Sequence, residues 1–517
     1  MSPQYLSPGV YIEEVDRGSK PIEAAGTSVA AFVGFTEKRP EGNNGEPFLV
    51  TNWTQYTSAF GGFVPGAYLP LSVYGYFLNG GGICYIQSVA VLGNGTAAAD
   101  APAAKGVAQL PGKNPQITAA VEVTAQVGGQ VAVTVEDGSA DDVFKLTVTS
   151  GDTTETFENL TLNKGRGVRN AVDVVNKESK LIKLKELETS APTAERRPAA
   201  GSYTVGTALA VASTTALAVS AQTFEGDVTA RVGVQGLEAV DEVTMVIVPD
   251  LMTAFQAGQI GRDDVKAVQL AVMAHCEKMK DRVAILDSLP DMTPQQVNDW
   301  RMNEANYDSK YAALYYPWIW IANPLAGQDG QASMVKVPPS GHMAGLYARV
   351  DGERGVHKAP ANEILRGAVK LETNVTKGEQ DILNPNGINC IRAFPGRGIR
   401  VWGARTLSSD PSWRYVNVRR LFCMVEKSIE RGTQWVVFEP NDPVLWAKVR
   451  RDVSAFLSTI WRTGALFGLS ESEAFYVKCD AENNPKEERD LGRLFIDIGI
   501  SPVKPAEFVV FRIGQMG

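Results

Sequence analysis

Cysteine is scarce in this chain, and histidine scarcer. The five cysteines, Cys84, Cys276, Cys390, Cys423 and Cys479, are odd in number and far apart. No Cys-x-x-Cys pair occurs, so neither a zinc ribbon nor a disulfide framework is indicated. The three histidines, His275, His342 and His357, leave little for a two-histidine metal site, and neither metal nor cofactor is expected. Positive charge is also short: 50 Lys and Arg against 58 Asp and Glu give a net charge of −8. That balance disfavours a general nucleic-acid binder, and no nucleic-acid partner is expected. The most apolar low-complexity run, Thr207–Ala221, is broken by Ser and Thr and is too short for a bilayer, so no membrane insertion is expected. Met1-Ser-Pro-Gln-Tyr-Leu6 has no basic segment ahead of an apolar one. No signal peptide is expected, and assembly is placed in a reducing cytoplasm. A Gly-x-x-x-x-Gly-Lys-Ser/Thr loop is missing; Gly106–Lys113 comes nearest, with one residue too many and no hydroxyl after the lysine. The Gly-x-Ser-x-Gly elbow of a serine hydrolase is missing too.

What is present is an ordinary globular composition, 44% apolar and 21% charged over 517 residues, long enough for two to four domains. Val10–Val15 is a short strand pattern behind Pro8-Gly9, broken again by Asp16–Pro21. It reads equally as an edge strand of the chain's own sheet or as an arm that adds to a neighbour. Ser28–Phe35 is a buried-strand run, Asn52–Phe60 and Leu69–Leu78 have helical spacing, and Ile83–Val89 returns as a strand. Asn79-Gly-Gly-Gly82 follows a helix and precedes a strand, the wrong order for a phosphate loop, and is a helix stop. From Leu92 to about Val234 the chain is rich in Ala, Thr and Val. Short strands at Val121–Val127, Val131–Val135 and Phe144–Val148, a helix at Val168–Asn176 and late strands at Thr204-Val205 and Leu209–Ser220 predict a small β-sandwich-like insertion.

Alternation of β and α resumes with Val243–Asp250, Asp263–Lys280, Arg282–Asp287, Pro294–Asn303 and Ala312–Ile321. It predicts a doubly wound unit over about 235–372. Asp250 and Asp287 end strands, and with Ser340 and His342 they offer the raw material of a hydrolase. Ser340 and His342, however, lie two residues apart in what reads as one loop, where extended side chains diverge. His342 is expected to be a hydrogen-bonded structural residue, and the two aspartates strand-end or helix-capping groups. In the C-terminal block, Ser412–Glu430 is helical, with Arg419-Arg420 expected in salt bridges. A second helix starts at Asn441 or Asp442, takes Pro443 in its first turn and runs to about Arg462. Leu445, Val449, Val453, Phe456, Leu457 and Ile460 form its apolar stripe, and Lys448, Arg450, Arg451 and Arg462 decorate the rest. Leu491–Ile500 and Pro505–Ile513 read as strands, and Phe508 to Ile513 is apolar on both faces.

Several separated motifs stand in one order. They are Tyr5–Val15, Pro338-Pro-Ser-Gly-His-Met-Ala-Gly345, Leu383–Arg392, Gly398-Ile-Arg-Val-Trp-Gly-Ala-Arg-Thr-Leu407, Tyr415–Leu421, Phe438-Glu-Pro-Asn-Asp442 and Leu445-Trp446. The set resembles the tail sheath proteins of contractile phage tails and bacterial contractile injection systems, leaving mainly residues 92–224 weakly matched. The resemblance implies an α/β multidomain chain: an N-terminal arm (1–21), a core α+β domain built from both chain ends (22–91 and 373–504), an inserted outer β domain (92–234), an inserted non-catalytic domain of subtilisin-like fold (235–372) and a C-terminal arm strand (505–517). It implies a helical sheath that contracts from a metastable extended state around a rigid inner tube, as part of a phage tail or injection particle. Its partners would be other copies of itself, the inner tube protein, and baseplate and tail-terminator or cap proteins. Arm strands at Val10, Tyr11, Ile12 and Val15 and at Phe508, Val509, Val510, Phe511 and Ile513 would join adjacent subunits. Lys448, Arg450, Arg451 and Arg462 are candidates for the tube contact. The charged stretch Arg349–Asn362 reads as a solvated loop or as a contact that changes partner on contraction. A hydrolase using Ser340 and His342 and an adhesin built on the β insertion are the competing readings. The missing elbow and the missing export signal weigh against them.

Overall fold

The computed structural model describes residues 21–92, 107–114, 117, 120–125, 131–150, 153–165, 168–187, 191–205, 219–326 and 332–512. Val10, Tyr11, Ile12, Val15 and Ile513 lie outside them. The chain divides into two units: one takes the chain up to Phe63, Ala67–Val91 and everything from Val219 onward, the other Val64–Gly66 and Leu92–Ala218.

The first unit is organised by an eight-stranded sheet. Its strands are β1 (Val29–Thr36), β2 (Phe48–Val50), β3 (Ile83–Val91), β4 (Met245–Ile247), β5 (Val283–Asp287), β6 (Ala312–Tyr316), β7 (Ile388–Phe394) and β8 (Gly398–Val401), in the order β8-β7-β6-β5-β4-β1-β3-β2. The six inner strands are parallel, and β2 and β8 close the edges antiparallel. The β1 run Val-Ala-Ala-Phe-Val-Gly-Phe-Thr is apolar on both faces and buried at every position but the first, so it needs strands beside it and cover above and below. Phe32 pairs with Ile247 on one side and Ile86 on the other. One sheet therefore unites segments 22–91, 235–372 and 373–504, which the family resemblance implies are two domains.

Helices α1 (Leu69–Asn79) and α4 (Ser340–Arg354) pack together; between them in sequence come α2 (Asp250–Gln256) and α3 (Arg262–Met279). Gly341 and Gly345 make the α1–α4 approach close, since a Cβ on either would collide with Ser72 or with the Tyr76 carbonyl. The expectation of a loop at Ser340–His342 is corrected by α4, which also takes in Arg349–Arg354, the first part of the charged stretch Arg349–Asn362. Pro338-Pro339 and the two glycines look like punctuation, yet the prolines precede the first turn and the glycines serve the helix contact. Arg349 is buried and donates to the carbonyls of Asn79 and Ile364 at 3.1 and 2.7 Å. The single strand expected over Ala312–Ile321 is broken at Pro317, which lacks the N–H a ladder needs. Ile319–Ala322 instead sits between Met334–Val337 and Ala368–Leu371 in a three-stranded antiparallel sheet.

The end of this unit holds α5 (Val416–Gly432), α6 (Pro443–Arg462) and an antiparallel pair, Phe475–Lys478 with Asp497–Ile500. Asp442 caps α6 by accepting from the Leu445 N–H at 2.8 Å, with Pro443 in the first turn. The α6 stripe packs on Leu421 and Val425 of α5, on Phe475, and on Ile22 from the other end of the chain. The Ala25 N–H donates to Ser428 Oγ of α5 at 2.8 Å, tying that end of the chain down further.

The second unit has two antiparallel sheets. Gly201–Val205, Val131–Asp137, Val143–Ser150 and Thr153–Thr161 form one; Val107–Leu110, Val121–Ala125 and Ile182–Glu186 the other. With the helix Ala171–Glu178 they share one core that includes Val123, Val133, Leu146, Val148, Val175 and Ile182. The late strand expected from Leu209 lies mostly outside the described residues. Among the described residues, no helix is long and apolar enough to cross a membrane.

Candidate assembly site

The hydrolase constellation is taken apart by the fold. Asp287, at the end of β5, accepts the Ser340 N–H at 2.9 Å and the Ser340 hydroxyl at 2.5 Å, so it caps the N-terminus of α4. Asp250 does the same for α1, accepting the N–H of Tyr68 and of Leu69 (3.2 Å), and it also takes the Phe35 N–H at 2.6 Å. Burial raises both carboxyls, Asp250 to about 6 and Asp287 to about 7, against the pull of these hydrogen bonds. His342 points elsewhere: its ring lies against Gly75 of α1, and burial lowers it to about 4. Among the described residues its Nδ1 has no hydrogen-bond partner, contrary to the expected hydrogen-bonded role. Ser340 and His342 are 0% and 1% exposed; no substrate reaches them.

The charged residues of the C-terminal block sort into internal ties and surface. Arg420 forms a buried ion pair with Asp351 (2.5 Å), which also accepts from Thr27, and Arg419 pairs with Glu426 at 3.0 Å. On α6, Lys448, Arg451 and Arg462 lie along one exposed face. Arg451, itself exposed, pairs with the buried Asp452 next to it at 3.0 Å, and Arg462 with Glu471 at 3.9 Å, an exposed pair of small energetic weight. Arg450 is turned away from that face, half-buried, and donates to the Cys479 carbonyl.

Three features meet at the end of the chain. First, the pair Phe475–Lys478 and Asp497–Ile500 is a sheet of only two strands. Val477, Ile498 and Ile500 pack on the core while Tyr476 is exposed, and among the described residues no third strand covers either edge. Two strands alone are marginal. Second, the stretch expected as a strand from Pro505 makes no ladder over residues 505–512 with any of the described residues. Phe508, Val509, Val510 and Phe511 are 73%, 69%, 77% and 82% exposed, although nothing in their chemistry favours water. Third, Glu507, immediately before them, is held from four directions. Arg405 donates to both of its carboxylate oxygens through Nε (2.9 Å) and Nη2 (2.7 Å), Asn384 donates at 2.7 Å and the Tyr415 hydroxyl at 2.9 Å. Burial opposes the charge, but these donors outweigh it and hold Glu507 below the usual carboxylate range. The sequence pointed to the apolar run; the Glu507 clamp went unseen, because its partners lie 92 to 123 positions away.

A two-stranded sheet with no third strand among the described residues and an exposed apolar segment on the same chain are features expected of a structural subunit. The comparisons give the class its particular form. Residues 235–407 match the phage tail sheath protein central domain and residues 408–515 the phage tail sheath C-terminal domain, together more than half of the chain. This chain belongs to the phage tail sheath family, which is structural rather than enzymatic. It is 29% identical to the tail sheath protein of Vibrio phage KVP40, over 34% of this chain and 26% of that one. With a putative prophage major tail sheath protein of Pseudomonas aeruginosa it shares 27% identity, over 49% of this chain and 62% of the other. The matches thus span about a quarter and about three fifths of these two relatives. In fold it is similar to the sheath protein of an extracellular contractile injection system, the PVC sheath complex in contracted state. The TM-score is 0.59 at 24% identity, over 99% of both chains.

Proposed function

We propose that this chain is the repeating subunit of a contractile sheath. Copies polymerise as a helical tube around a rigid inner tube and store energy in a metastable extended lattice. Contraction is then a population shift to a lattice with better contacts between subunit bodies, and it drives the inner tube through a target envelope. The observation that carries this reading is the coexistence of an incomplete two-stranded sheet and the exposed segment Phe508–Phe511. Strand addition satisfies both, and backbone ladders survive large rotations of the bodies they join. A strand of five or six residues makes ~4–6 hydrogen bonds of about 0.5–1.5 kcal/mol each, only several kcal/mol in all. Repetition through the lattice makes the mesh cohesive. Val10–Val15 supplies the second arm in this scheme, and the named relatives, sheath complexes and tail sheath proteins, support it by analogy.

Within the scheme, Lys448, Arg451 and Arg462 face the inner tube, while Arg450 serves its own chain. Residues 92–234 form an outer domain. The parallel-sheet region is a subtilisin-like unit put to structural use. Baseplate and terminator or cap proteins bound the polymer, which belongs to a phage tail or an injection particle assembled in the cytoplasm. Electron microscopy of the expressed protein tests the reading: hollow striated cylinders are expected. Deletion of residues 1–20 should leave a folded, soluble protomer without cylinders. Normal cylinders from that deletion would remove the arms from the account.

A further inference from the structure

We infer that Glu507 is the anchor of the C-terminal arm, the residue that fixes where the exchanged strand leaves its own body and through which tension on that strand enters the fold. The inference rests on the arm reading above and goes beyond it, since strand exchange by itself requires no particular attachment point.

The geometry has three parts. The carboxylate is saturated: one oxygen accepts from Arg405 Nε and Asn384, the other from Arg405 Nη2 and Tyr415. A bidentate guanidinium is a strong, directional, charge-assisted grip on a carboxylate, and two neutral donors complete it here. The grip is itself anchored. Arg405 is 7% exposed, and its backbone N–H and carbonyl exchange hydrogen bonds with the side chain of Asn389, at 2.7 and 2.8 Å. Asn389 is a fully buried residue of β7, inside the eight-stranded sheet. Tyr415 stands at the start of α5 and Asn384 just after the helix Lys377–Leu383. The carboxylate is thus connected to the most deeply built part of the unit.

The boundary is also sharp. Before it, Ser501 and Val503 are held by backbone bonds to Phe467, Ala474 and Ala465, at 2.8, 2.9 and 3.1 Å. After it come four side chains more than two thirds exposed. A neighbour pulling on residues 508–511 loads Glu507 first. Without the clamp the load passes to the 501–503 bonds, which open one at a time as a peeling edge. The clamp instead loads four bonds together. It also sets the direction of departure, so the arm reaches a neighbour's open sheet edge with less freedom to lose.

The test uses the full chain as wild type, Glu507→Ala, Glu507→Gln and a deletion of 508–517. Protomer melting, polymer yield by sedimentation, and co-assembly of labelled variant with wild type are measured. The deletion is expected to abolish polymer. Glu507→Ala should keep a folded protomer and lower polymer yield about tenfold, the change that follows from losing a charge-assisted contact. Glu507→Gln, which retains neutral hydrogen bonds, should fall between. Mixed with wild type, Glu507→Ala protomers should still enter polymers, because they offer an intact sheet edge; a merely destabilised protomer would be excluded. Wild-type yield from a folded Glu507→Ala, with the deletion inactive, overturns the anchor and leaves the arm standing. Wild-type yield from the deletion overturns the arm reading as well. Should Glu507→Ala fail to fold, Glu507→Gln decides, and wild-type yield and denaturant resistance of its polymer overturn the anchor.

Discussion

Asp287 shows how a residue with the credentials of catalysis can be wholly structural. It sits at the C-terminal end of a parallel strand, where α/β enzymes place their chemistry, and its carboxyl is raised to about 7 by burial. Yet its two hydrogen bonds end on Ser340 at the start of α4, and nothing opens to solvent. The raised value has a consequence for stability. The folded state holds its proton more tightly than the unfolded chain, in which an aspartate titrates near 3.9. Ionisation therefore penalises folding increasingly as pH climbs from about 4 to about 7, and fully above that. Asp287→Asn removes the penalty while keeping an acceptor for the Ser340 N–H. Its melting temperature relative to wild type should rise between pH 5 and pH 8, by an amount on the order of 2 kcal/mol in stability. A pH-independent difference would show that Asp287 does not titrate in this range. The capping role was open to sequence reasoning as one choice among several. The helical state of Ser340–Arg354 was not, because Pro338, Pro339, Gly341 and Gly345 together imitate a loop, and only the presence of α1 explains the glycines.

At the scale of elements, local patterns were read well and their pairing was not. The apolar stripe of α6 and the cap at Asp442 follow from 3.6-residue spacing and first-turn chemistry, and both are present. By contrast β6 and Ile319–Ala322 look continuous in sequence and belong to different sheets. One sheet draws strands from 22–91, 235–372 and 373–504, with β1 pairing β4 across some two hundred residues. Nothing local records such a pairing. The C-terminal segment was legible in kind, an apolar strand without obvious company, though its attachment was invisible. Its exposure makes a clean prediction. Phe508→Lys with Val510→Lys alters one face of the segment, and Val509→Lys with Phe511→Lys the other. All four side chains are exposed in the protomer, so either pair should leave protomer melting within about 0.5 kcal/mol of wild type. In a covered strand both faces are buried, and each pair should abolish polymer in a sedimentation assay. Normal polymer from either pair would mean that one face stays in solvent, and from both pairs that the segment adds to no sheet.

Considered as a whole molecule, the chain combines two units, each with its own cluster of buried apolar residues. The second unit closes on itself. Val133, Val148 and Ile182 are 0% exposed, and its two sheets are antiparallel throughout, local hairpins being joined by the long-range pairings of Gly201–Val205 with Val131–Val135 and of Val121–Ala125 with Ile182–Glu186. The first unit keeps segments far apart in sequence in contact: Ile22 packs with α5 and α6, and the Phe224 ring lies tilted 5.7 Å from Phe35 of β1 where the chain returns. The core cluster of the second unit is drawn, among the described residues, from positions 110–184 alone, as expected of an insertion that can be removed. Replacing residues 93–218 with a flexible Gly/Ser linker of about ten residues, whose ends explore roughly 17 Å, should leave the first unit folded. Circular dichroism should show lost strand signal, and melting should remain cooperative. If the β insertion lies outward, as proposed, the shortened protein should form cylinders with the same axial striation and a smaller outer diameter. A folded protein that forms none would place the insertion in the lattice contacts themselves, and the outer-domain assignment would fall.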